Sequence, residues 1–371
     1  MKKIIFTVTN DLTYDQRMQR ICTSVSHAGY DVLLVGRRLK NAIPLNTFSF
    51  KQKRLSCWTT KGKLFYLEYN LRLFFYLLFT RFDAVCSIDL DTILPGFYSA
   101  KLKRKVCVYD AHEYFTEVPE VVERPTVKRV WEWVAQHTIP RLRHCYTVCD
   151  SLADLFTENY GTAFGVIRNV PVAQEAPSTR QKNDRKVILY QGALNDGRGL
   201  EEMITAMQVL DADLWIAGEG DLSQELRTLA EKLNLQEKVK FLGFVTPDRL
   251  KALTFKADIG INLLKNKGLS YYYSLANKAF DYIQAELPSV NMNFPEYQRI
   301  NIEFKVGLLV DDLETSTLIN TFNSLLNDSE LYAELVNNCK KAKKVFIWEE
   351  EEKKLVQIYN QLFISSTITH D

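Results

Sequence analysis

The chain has 371 residues, of which 46% are hydrophobic and 25% are charged. These proportions are typical of a globular protein long enough for two domains, and they exclude disordered, collagen-like and coiled-coil chains. The seven cysteines are scattered and odd in number, and the apolar stretch after Met1 is too short for a signal peptide. Both features favour a reducing, cytoplasmic compartment.

Charge is divided unevenly along the chain. Residues 1–170 contain 24 Lys and Arg but only 16 Asp and Glu, although the whole chain has a net charge of +2. A basic half predicts a surface that meets an anionic partner. No nucleic-acid-binding motif accompanies these cations, so we expect no nucleic acid partner and favour an anionic membrane.

In the first half, short apolar runs alternate with helical segments, which is the pattern of a parallel sheet covered by helices. The predicted strands are Ile4–Val8, Val32–Val35, Ala84–Ser87, Val106–Tyr109, Cys145–Val148 and Gly165–Ile167. The predicted helices are 14–28, 91–103, 126–139 and 151–159.

The segment 61–82 combines four cations with many Phe, Leu and Tyr side chains. Its uncharged run is far shorter than the ~20 residues needed to span a bilayer. Two interpretations stay open. The segment is either a helix that packs on the core and exposes a basic face, or such a helix that also rests on an anionic membrane.

Residues 171–186 are polar, contain two prolines and lack apolar periodicity, which predicts a linker between domains at 1–170 and 187–345. The alternation then resumes. The predicted strands are Val187–Tyr190, Leu214–Ala217, Val239–Leu242, Ile259–Leu263 and Ser289–Met292. The predicted helices lie near 200–208, 222–233, 247–255, 276–285 and 315–326, and residues 330–362 are also helical in pattern.

The loop after the first strand of this second half is rich in glycine and carries one arginine: Gly192, Gly197, Arg198 and Gly199. Glycines allow close backbone approach, while a helix N-terminus and an arginine attract phosphate. The loop therefore predicts a diphosphate site, or else it is a glycine-rich turn with a surface arginine. Gly218 and Gly220 form a similar turn after the next strand.

A second group of polar residues lies where a helix is predicted to begin near residue 276. Lys278 and Asp281 are three residues apart and so share one face of that helix. A cation can hold phosphate oxygens, and a carboxylate can accept hydrogen bonds from both hydroxyls of a ribose. The alternative is that Asn277 only caps the helix and that the two charged residues form an exposed ion pair.

These motifs resemble those of glycosyltransferase family 4, the retaining GT-B glycosyltransferases (glycosyl transferases group 1), and the resemblance covers nearly the whole chain. The glycine loop is similar to the family's G-R-L-x-x-x-K-G, with Ala193 replacing its arginine and Arg198 its lysine. Of the family's two glutamates, the first falls at Tyr273 and the second at Asp281. The run from Ser274 resembles the S-L-P-N-K run of bacterial members.

The resemblance implies an α/β fold of two tandem, doubly wound Rossmann-like domains with a deep cleft, and a last helix within 346–371 that crosses back to the first domain. It implies transfer of a hexose-type sugar from a nucleotide donor to a glycan or lipid-linked acceptor of a bacterial surface polysaccharide. It implies no metal and no other cofactor. The enzyme would be cytoplasmic, at the inner face of the membrane if it contacts lipid.

The resemblance also implies roles for individual residues. His112, in a segment similar to the family's D-x-H-E element, would contact the donor sugar, and Arg198 and Lys278 would act in catalysis. The implied donor-binding residues are Gly192, Gly199, Gly218, Gly220, Phe244, Val245, Ser274, Asn277 and Asp281. The implied acceptor contacts are Asn10, Asp11 and Arg17.

The sequence leaves two other functions open. A sugar-nucleotide 2-epimerase with the same fold would need acid and base groups beside the sugar. A non-catalytic nucleotide-sugar-binding protein would be consistent with Ala193 and Tyr273, where the family has charged residues. The first loop lacks G-x-G-x-x-G and the chain lacks the P-loop motif, which argues against NAD binding and an ATPase.

Overall fold

The computed structural model describes residues 1–174 and 183–363. The chain divides into two compact units, each with its own parallel sheet. Unit 1 consists of Met1–Asn169 and the described residues from Glu351 onward, and unit 2 is Val170–Glu350. Half of the predicted linker 171–186 falls on residues 175–182, and the end of the predicted 346–371 segment falls on 364–371. Both stretches lie outside the described residues.

Unit 1 contains a seven-stranded sheet in the order β3-β2-β1-β4-β5-β6-β7, with every neighbouring pair parallel. Its strands are β1 (Lys3–Thr7), β2 (Asp31–Arg38), β3 (Lys51–Ser56), β4 (Ala84–Ile88), β5 (Val106–Ala111), β6 (His144–Thr147) and β7 (Phe164–Val166). The central strands β1 and β4 are almost fully buried because helices cover both faces of the sheet.

The helices of unit 1 connect these strands. They are α1 (Gln16–His27), α2 (Gly62–Phe79), α3 (Leu90–Lys103), α4 (Pro119–Val122), α5 (Pro125–Thr138) and α6 (Asp150–Tyr160), with 3₁₀ turns at Phe115–Glu117 and Ile139–Arg141. The inner face of α2 presents Tyr69, Leu73 and Leu77 to a core that includes Ile5 and Val85 of the sheet.

Unit 2 contains a six-stranded parallel sheet in the order β10-β9-β8-β11-β12-β13. Its strands are β8 (Val187–Gln191), β9 (Asp213–Ala217), β10 (Val239–Gly243), β11 (Ile259–Asn262), β12 (Ser289–Met292) and β13 (Gly307–Val310). Its helices are α7 (Leu200–Ala206), α8 (Ser223–Lys232), α9 (Pro247–Lys256), α10 (Leu269–Tyr272), α11 (Asn277–Gln284), α12 (Pro295–Phe304), α13 (Thr315–Asn327) and α14 (Ser329–Ala342).

The last helix, α15 (Trp348–Gln361), begins at the boundary between the two units. From Glu351 onward its residues belong to unit 1. There the ring of Tyr359 lies 5.6 Å from that of Phe6, and its hydroxyl is 3.2 Å from the Tyr146 hydroxyl. These buried contacts fix the second half of α15 to the core of unit 1.

Both sheets reverse their strand order at one point, between β1 and β4 in unit 1 and between β8 and β11 in unit 2. In open parallel sheets, ligands bind beyond the carboxyl ends of the strands at such a point. The relevant loops are therefore those that follow these strands.

Candidate active site

Three glycine turns lie side by side at the carboxyl edge of the sheet in unit 2. The Gly192 N–H donates to Ala217 O at 3.0 Å, and the Gly218 N–H donates to Gly243 O at 2.9 Å. A Cβ added to Gly218 would lie 1.9 Å from the carbonyl oxygen of Gly192, and Gly218 has a φ of 152°. Only glycine fits at this position, because the two loops approach each other at backbone distance.

The other two predicted glycines also lie in these loops. Gly199 caps α7 with a φ of 65°, and a Cβ there would lie 2.8 Å from Leu263 Cβ. A Cβ on Gly220 would lie 2.5 Å from Asn195 Oδ1. Gly220 thus packs the loops after β8 and β9 closely together, and Gly199 packs the loop after β8 against the residue that follows β11.

Two cations lie beside the Gly192 turn. Lys278 is in the first turn of α11 and is 9% exposed, and its Nζ lies 3.9 Å from the position that a Cβ on Gly192 would take. The same Nζ lies 4.1 Å from the centre of the Tyr190 ring. The guanidinium of Arg198 lies 5.1 Å from the centre of the Tyr271 ring. Each cation therefore lies over an aromatic face, a favourable but weak contact.

The two cations have no carboxylate within ion-pair distance among residues 1–174 and 183–363. Burial, with the nearby positive charge of Arg198, lowers the pKa of Lys278 to about 7. The Nε of Arg198 is buried without a hydrogen-bond partner in the same part of the chain. Buried, unpaired donors and positive charge are costly unless a ligand satisfies them, so the surroundings of the Gly192 turn are suited to an anion. The burial of Lys278 also excludes the exposed ion pair with Asp281.

Asp281 lies one turn after Lys278 on α11. Its Oδ2 accepts a hydrogen bond from Gln191 Nε2 at 2.8 Å, and Gln191 Oε1 accepts one from Thr254 Oγ1 at 2.9 Å. This chain of side chains fixes the carboxylate at the end of β8. A fixed carboxylate at this edge can accept hydrogen bonds from a diol.

The remaining predicted donor residues lie in the loops at the same edge. Phe244 and Val245 follow β10 directly; the Phe244 ring is 72% exposed, whereas Val245 is buried. Asn277 is the exposed first residue of α11, and the Ser274 hydroxyl donates to Tyr271 O at 2.8 Å. The tyrosines at 190 and 271 carried no sequence signal that distinguished them from core residues.

In unit 1, His112 lies after β5 within a buried polar network. Its Nε2 lies 3.0 Å from Arg17 Nε and 3.1 Å from Asp110 Oδ2, and Arg17 also pairs with Asp110 at 3.1 Å. Burial alone would raise the pKa of Asp110, but Arg17 and His112 outweigh it and lower the pKa. Burial alone would lower the pKa of His112, but Asp110 and Asp89 outweigh it and raise the pKa.

No sequence motif identified the two aspartates that lie on the other side of His112. Asp89, directly after β4, accepts a hydrogen bond from the His112 backbone N–H at 2.8 Å. Asp91 accepts one from the Thr9 hydroxyl at 2.6 Å, and burial raises its pKa to about 7. Burial also raises the pKa of Asp89 above its usual range, opposed by His112.

The three predicted acceptor residues occupy different environments. Arg17 is 5% exposed and its guanidinium lies behind His112, where it also donates to Ile167 O. Asn10 and Asp11 lie in the loop after β1, where their side chains accept hydrogen bonds from backbone N–H groups two residues later. Arg17 therefore supports His112 from inside unit 1, and the loop residues are the ones that reach the surface.

Among the described residues, no group of three or more His, Cys, Asp or Glu side chains is arranged to hold a metal ion. In the same part of the chain, no helix has both the length and the hydrophobicity that a membrane crossing requires.

Solved structures with the same architecture identify the fold. Sucrose-phosphate synthase from Thermosynechococcus elongatus superposes with a TM-score of 0.78 at 16% identity, covering 98% of this chain and 100% of the synthase. Anabaena HepE, in complex with UDP and glucose, superposes with a TM-score of 0.77 at 15% identity, covering 97% and 100%. The α/β fold predicted from the sequence, with two parallel-sheet units of the GT-B type, is confirmed.

Sequence comparison relates the second half of the chain to a known family. Residues 172–342 match the family described as glycosyl transferases group 1. This segment, which makes up less than half of the chain, is similar to that family. An uncharacterised glycosyltransferase of Methanocaldococcus jannaschii is 30% identical over 183 residues, which make up 48% of this chain and 45% of the relative. The match thus spans less than half of the length of this curated relative.

Proposed function

We propose that the protein is a retaining glycosyltransferase that takes a hexose-type sugar from a nucleoside diphosphate donor bound by unit 2. The observation that carries the proposal is that two cations, Arg198 and Lys278, lie beside the Gly192 turn and have no carboxylate partner among residues 1–174 and 183–363. The UDP bound to HepE, a protein of the same fold, supports a nucleotide donor.

The proposed chemistry follows from the charge of the leaving group. When the glycosidic C–O bond breaks, negative charge increases on the departing diphosphate. Arg198 and Lys278 would stabilise that charge without a metal ion, which is typically the largest single contribution to such catalysis. Asp281 would hold the ribose, and Phe244 and Val245 would lie near the base. The family resemblance assigns the sugar contact to His112.

A direct test is the slow hydrolysis of UDP-glucose and GDP-mannose, measured as release of the nucleoside diphosphate. Arg198→Ala is expected to lower kcat on the order of a hundredfold and to change the donor KM much less, because leaving-group charge is greatest in the transition state. Arg249→Ala, at an exposed arginine on α9, is the control and should behave like the wild type. Loss of affinity alone in Arg198→Ala would mean that this residue only binds the ground state.

The carboxylates beside His112 favour one second candidate, a sugar-nucleotide 2-epimerase. Asp89 and Asp91 both have raised pKa values because they are buried, so they can exchange protons near neutral pH. The same assay separates the two functions. A transferase releases the nucleoside diphosphate, whereas an epimerase leaves the nucleotide sugar intact and inverts its C2 centre.

For the acceptor, we propose a glycan or lipid-linked molecule of a surface polysaccharide, used in the cytoplasm at the inner face of an anionic membrane. The support comes from α2, which is apolar on two faces. Besides the side chains buried in the core, it exposes a row of large apolar residues along its outer face: Leu64, Leu67, Leu71, Phe75 and Phe79, each between 51% and 83% exposed. An exposed apolar row of this length is typical of an interaction surface.

The charges around this row match an anionic lipid surface. Lys61, Lys63 and Arg81 are exposed at the two ends of α2. Glu68 is the single acidic residue of the helix. Its carboxylate accepts hydrogen bonds from Arg72 and from the backbone N–H groups of Trp58 and Thr59, so its negative charge is offset by protein groups. The outer face of α2 is thus apolar and basic, as interfacial helices are.

Vesicle co-sedimentation tests this surface. Binding to anionic vesicles at low salt is expected to fall strongly when Lys61, Lys63 and Arg81 are changed to Glu, since each cation contributes about 1 kcal/mol at such a surface. The matched control makes the same charge change on unit 2, at the exposed Lys232, Arg249 and Lys251. If wild-type protein stays in the supernatant at every salt concentration, the acceptor is soluble and the membrane proposal is wrong.

A further inference from the structure

Asp89 has a backbone conformation that is rare for a residue with a side chain. Its φ is 54° and its ψ is 173°, at the edge of a region occupied almost only by glycine. It also precedes α3 as the N-cap residue, where an aspartate usually accepts a hydrogen bond from its own helix. The Asp89 side chain makes no such bond. The residue therefore combines backbone strain with the loss of a helix cap.

The Asp89 carboxylate is directed at His112 instead. It accepts the hydrogen bond from the His112 backbone N–H at 2.8 Å, and its Oδ2 lies 3.8 Å from His112 Nδ1, at ion-pair distance. The backbone N–H of Asp89 donates to Asp110 O at 2.9 Å. One strained residue thus links the end of β4 to the segment that carries His112.

The other ring nitrogen of His112 is already engaged by protein groups. Its Nε2 faces Arg17 and Asp110, whose side chains are 5% and 0% exposed. The His112 side chain itself is 23% exposed. Nδ1 is consequently the nitrogen that can exchange a proton with a ligand, and Asp89 is the group that faces it. Asp91 and Glu113 are the other charged groups that act on Asp89.

We infer that Asp89 is a positioning residue, which fixes the ring of His112 and sets the protonation of its Nδ1. The inference rests on the proposed function only in taking His112 as the residue that contacts the sugar. It explains why a strained aspartate, rather than a glycine, occupies this turn. Strain of this kind is concentrated at functional sites, where the surrounding structure maintains it.

The titration of His112, followed by NMR of the ¹⁵N-histidine-labelled full chain, tests the inference without a substrate. Asp89→Asn keeps an oxygen that can accept the His112 N–H and removes the charge. The midpoint of the His112 titration is expected to fall by up to about one pH unit, because Asp89, which itself titrates near neutral pH, no longer supplies negative charge beside Nδ1. His112→Gln identifies the resonance among the five histidines. An unchanged midpoint and an unchanged tautomer in Asp89→Asn would overturn the inference.

The strain itself has a separate readout. Asp89→Gly is expected to melt at a higher temperature than Asp89→Ala, the reverse of the usual order, because only glycine adopts this conformation without strain. Arg104, the exposed residue with a φ of 53° at the other end of α3, provides the matched control. Arg104→Gly should also melt higher than Arg104→Ala but should leave the His112 titration unchanged. Equal melting of the two Asp89 variants would show that no strain is present.

Turnover separates this inference from the proposed function. If the wild type releases UDP from UDP-glucose, Asp89→Asn is expected to lower kcat about tenfold or more with little change in the donor KM. If the wild type releases none while the His112 titration shifts as described, the proposed function fails and the pairing of Asp89 with His112 stands.

Discussion

Replacing Lys278 with methionine is expected to weaken UDP binding on the order of ten- to a hundredfold. The ammonium group lies beside the Gly192 turn and over Tyr190, with no carboxylate partner among the described residues. A charge-assisted hydrogen bond to a phosphate contributes roughly 1.5–3 kcal/mol. Methionine keeps a side chain of similar length against the tyrosine ring, so the variant removes mainly the charge. Calorimetric titration with UDP measures the change.

The pH dependence of the same titration gives a sharper result. The pKa of Lys278 is lowered to about 7 in the folded protein, so the free site loses its proton as pH rises above that value. A bound diphosphate favours the charged form, so binding takes up a proton and UDP affinity should fall between about pH 7 and 9. Methionine should abolish this dependence. Lys251→Met, at an exposed lysine on α9, is the control and should retain it. A wild-type affinity that stays constant over this range would contradict the assignment.

The strands of the fold could be predicted because buried parallel strands are continuous apolar runs. Ser289–Met292 is a strand with the same limits in the structure, and Ile259–Leu263 differs by one residue. Two strands were missed, at Lys51–Ser56 and Gly307–Val310. Each pairs with only one neighbour at the edge of its sheet. Three of the six residues of the first are Lys or Arg, so it lacks the apolar run that identifies a central strand.

The candidate site could be predicted where its residues are close together in the sequence. Gly192, Arg198 and Gly199 form one loop, and Lys278 and Asp281 form one helix face, so local spacing identifies each group. The surroundings of His112 could not be found in this way. Arg17 and Asp89 reach it from residues 95 and 23 positions away. Only the pairing of β1, β4 and β5 in one sheet brings these side chains together.

The buried pair of Arg17 and Asp110 leads to the largest expected effect on stability. Arg17→Met should destabilise unit 1 by about 3–5 kcal/mol at pH 8, since it removes the arginine from a fully buried carboxylate and leaves only His112 beside it. In the wild type, the pKa of Asp110 is lower in the folded protein than in the unfolded chain. The ionised Asp110 therefore stabilises the folded state at pH values above the pKa of the unfolded chain, and this stabilisation is lost as pH falls through the pKa of the folded state. In the variant, only His112 opposes the effect of burial on Asp110, so the pKa of Asp110 should rise and the penalty should shrink as pH falls towards about 4.

Urea unfolding at pH 8 and at pH 4.5 measures both the destabilisation and its pH dependence. Lys51→Met is the matched control, since it removes an ion pair with Asp31 whose lysine is 71% exposed, and it should cost no more than about 1 kcal/mol. Adding Asp110→Asn to Arg17→Met should recover part of the loss at pH 8, because the unpaired charge is then gone. If Arg17→Met is as mild as Lys51→Met, or if its cost is the same at both pH values, the buried pair does not stabilise unit 1 and cannot be what holds His112 in place.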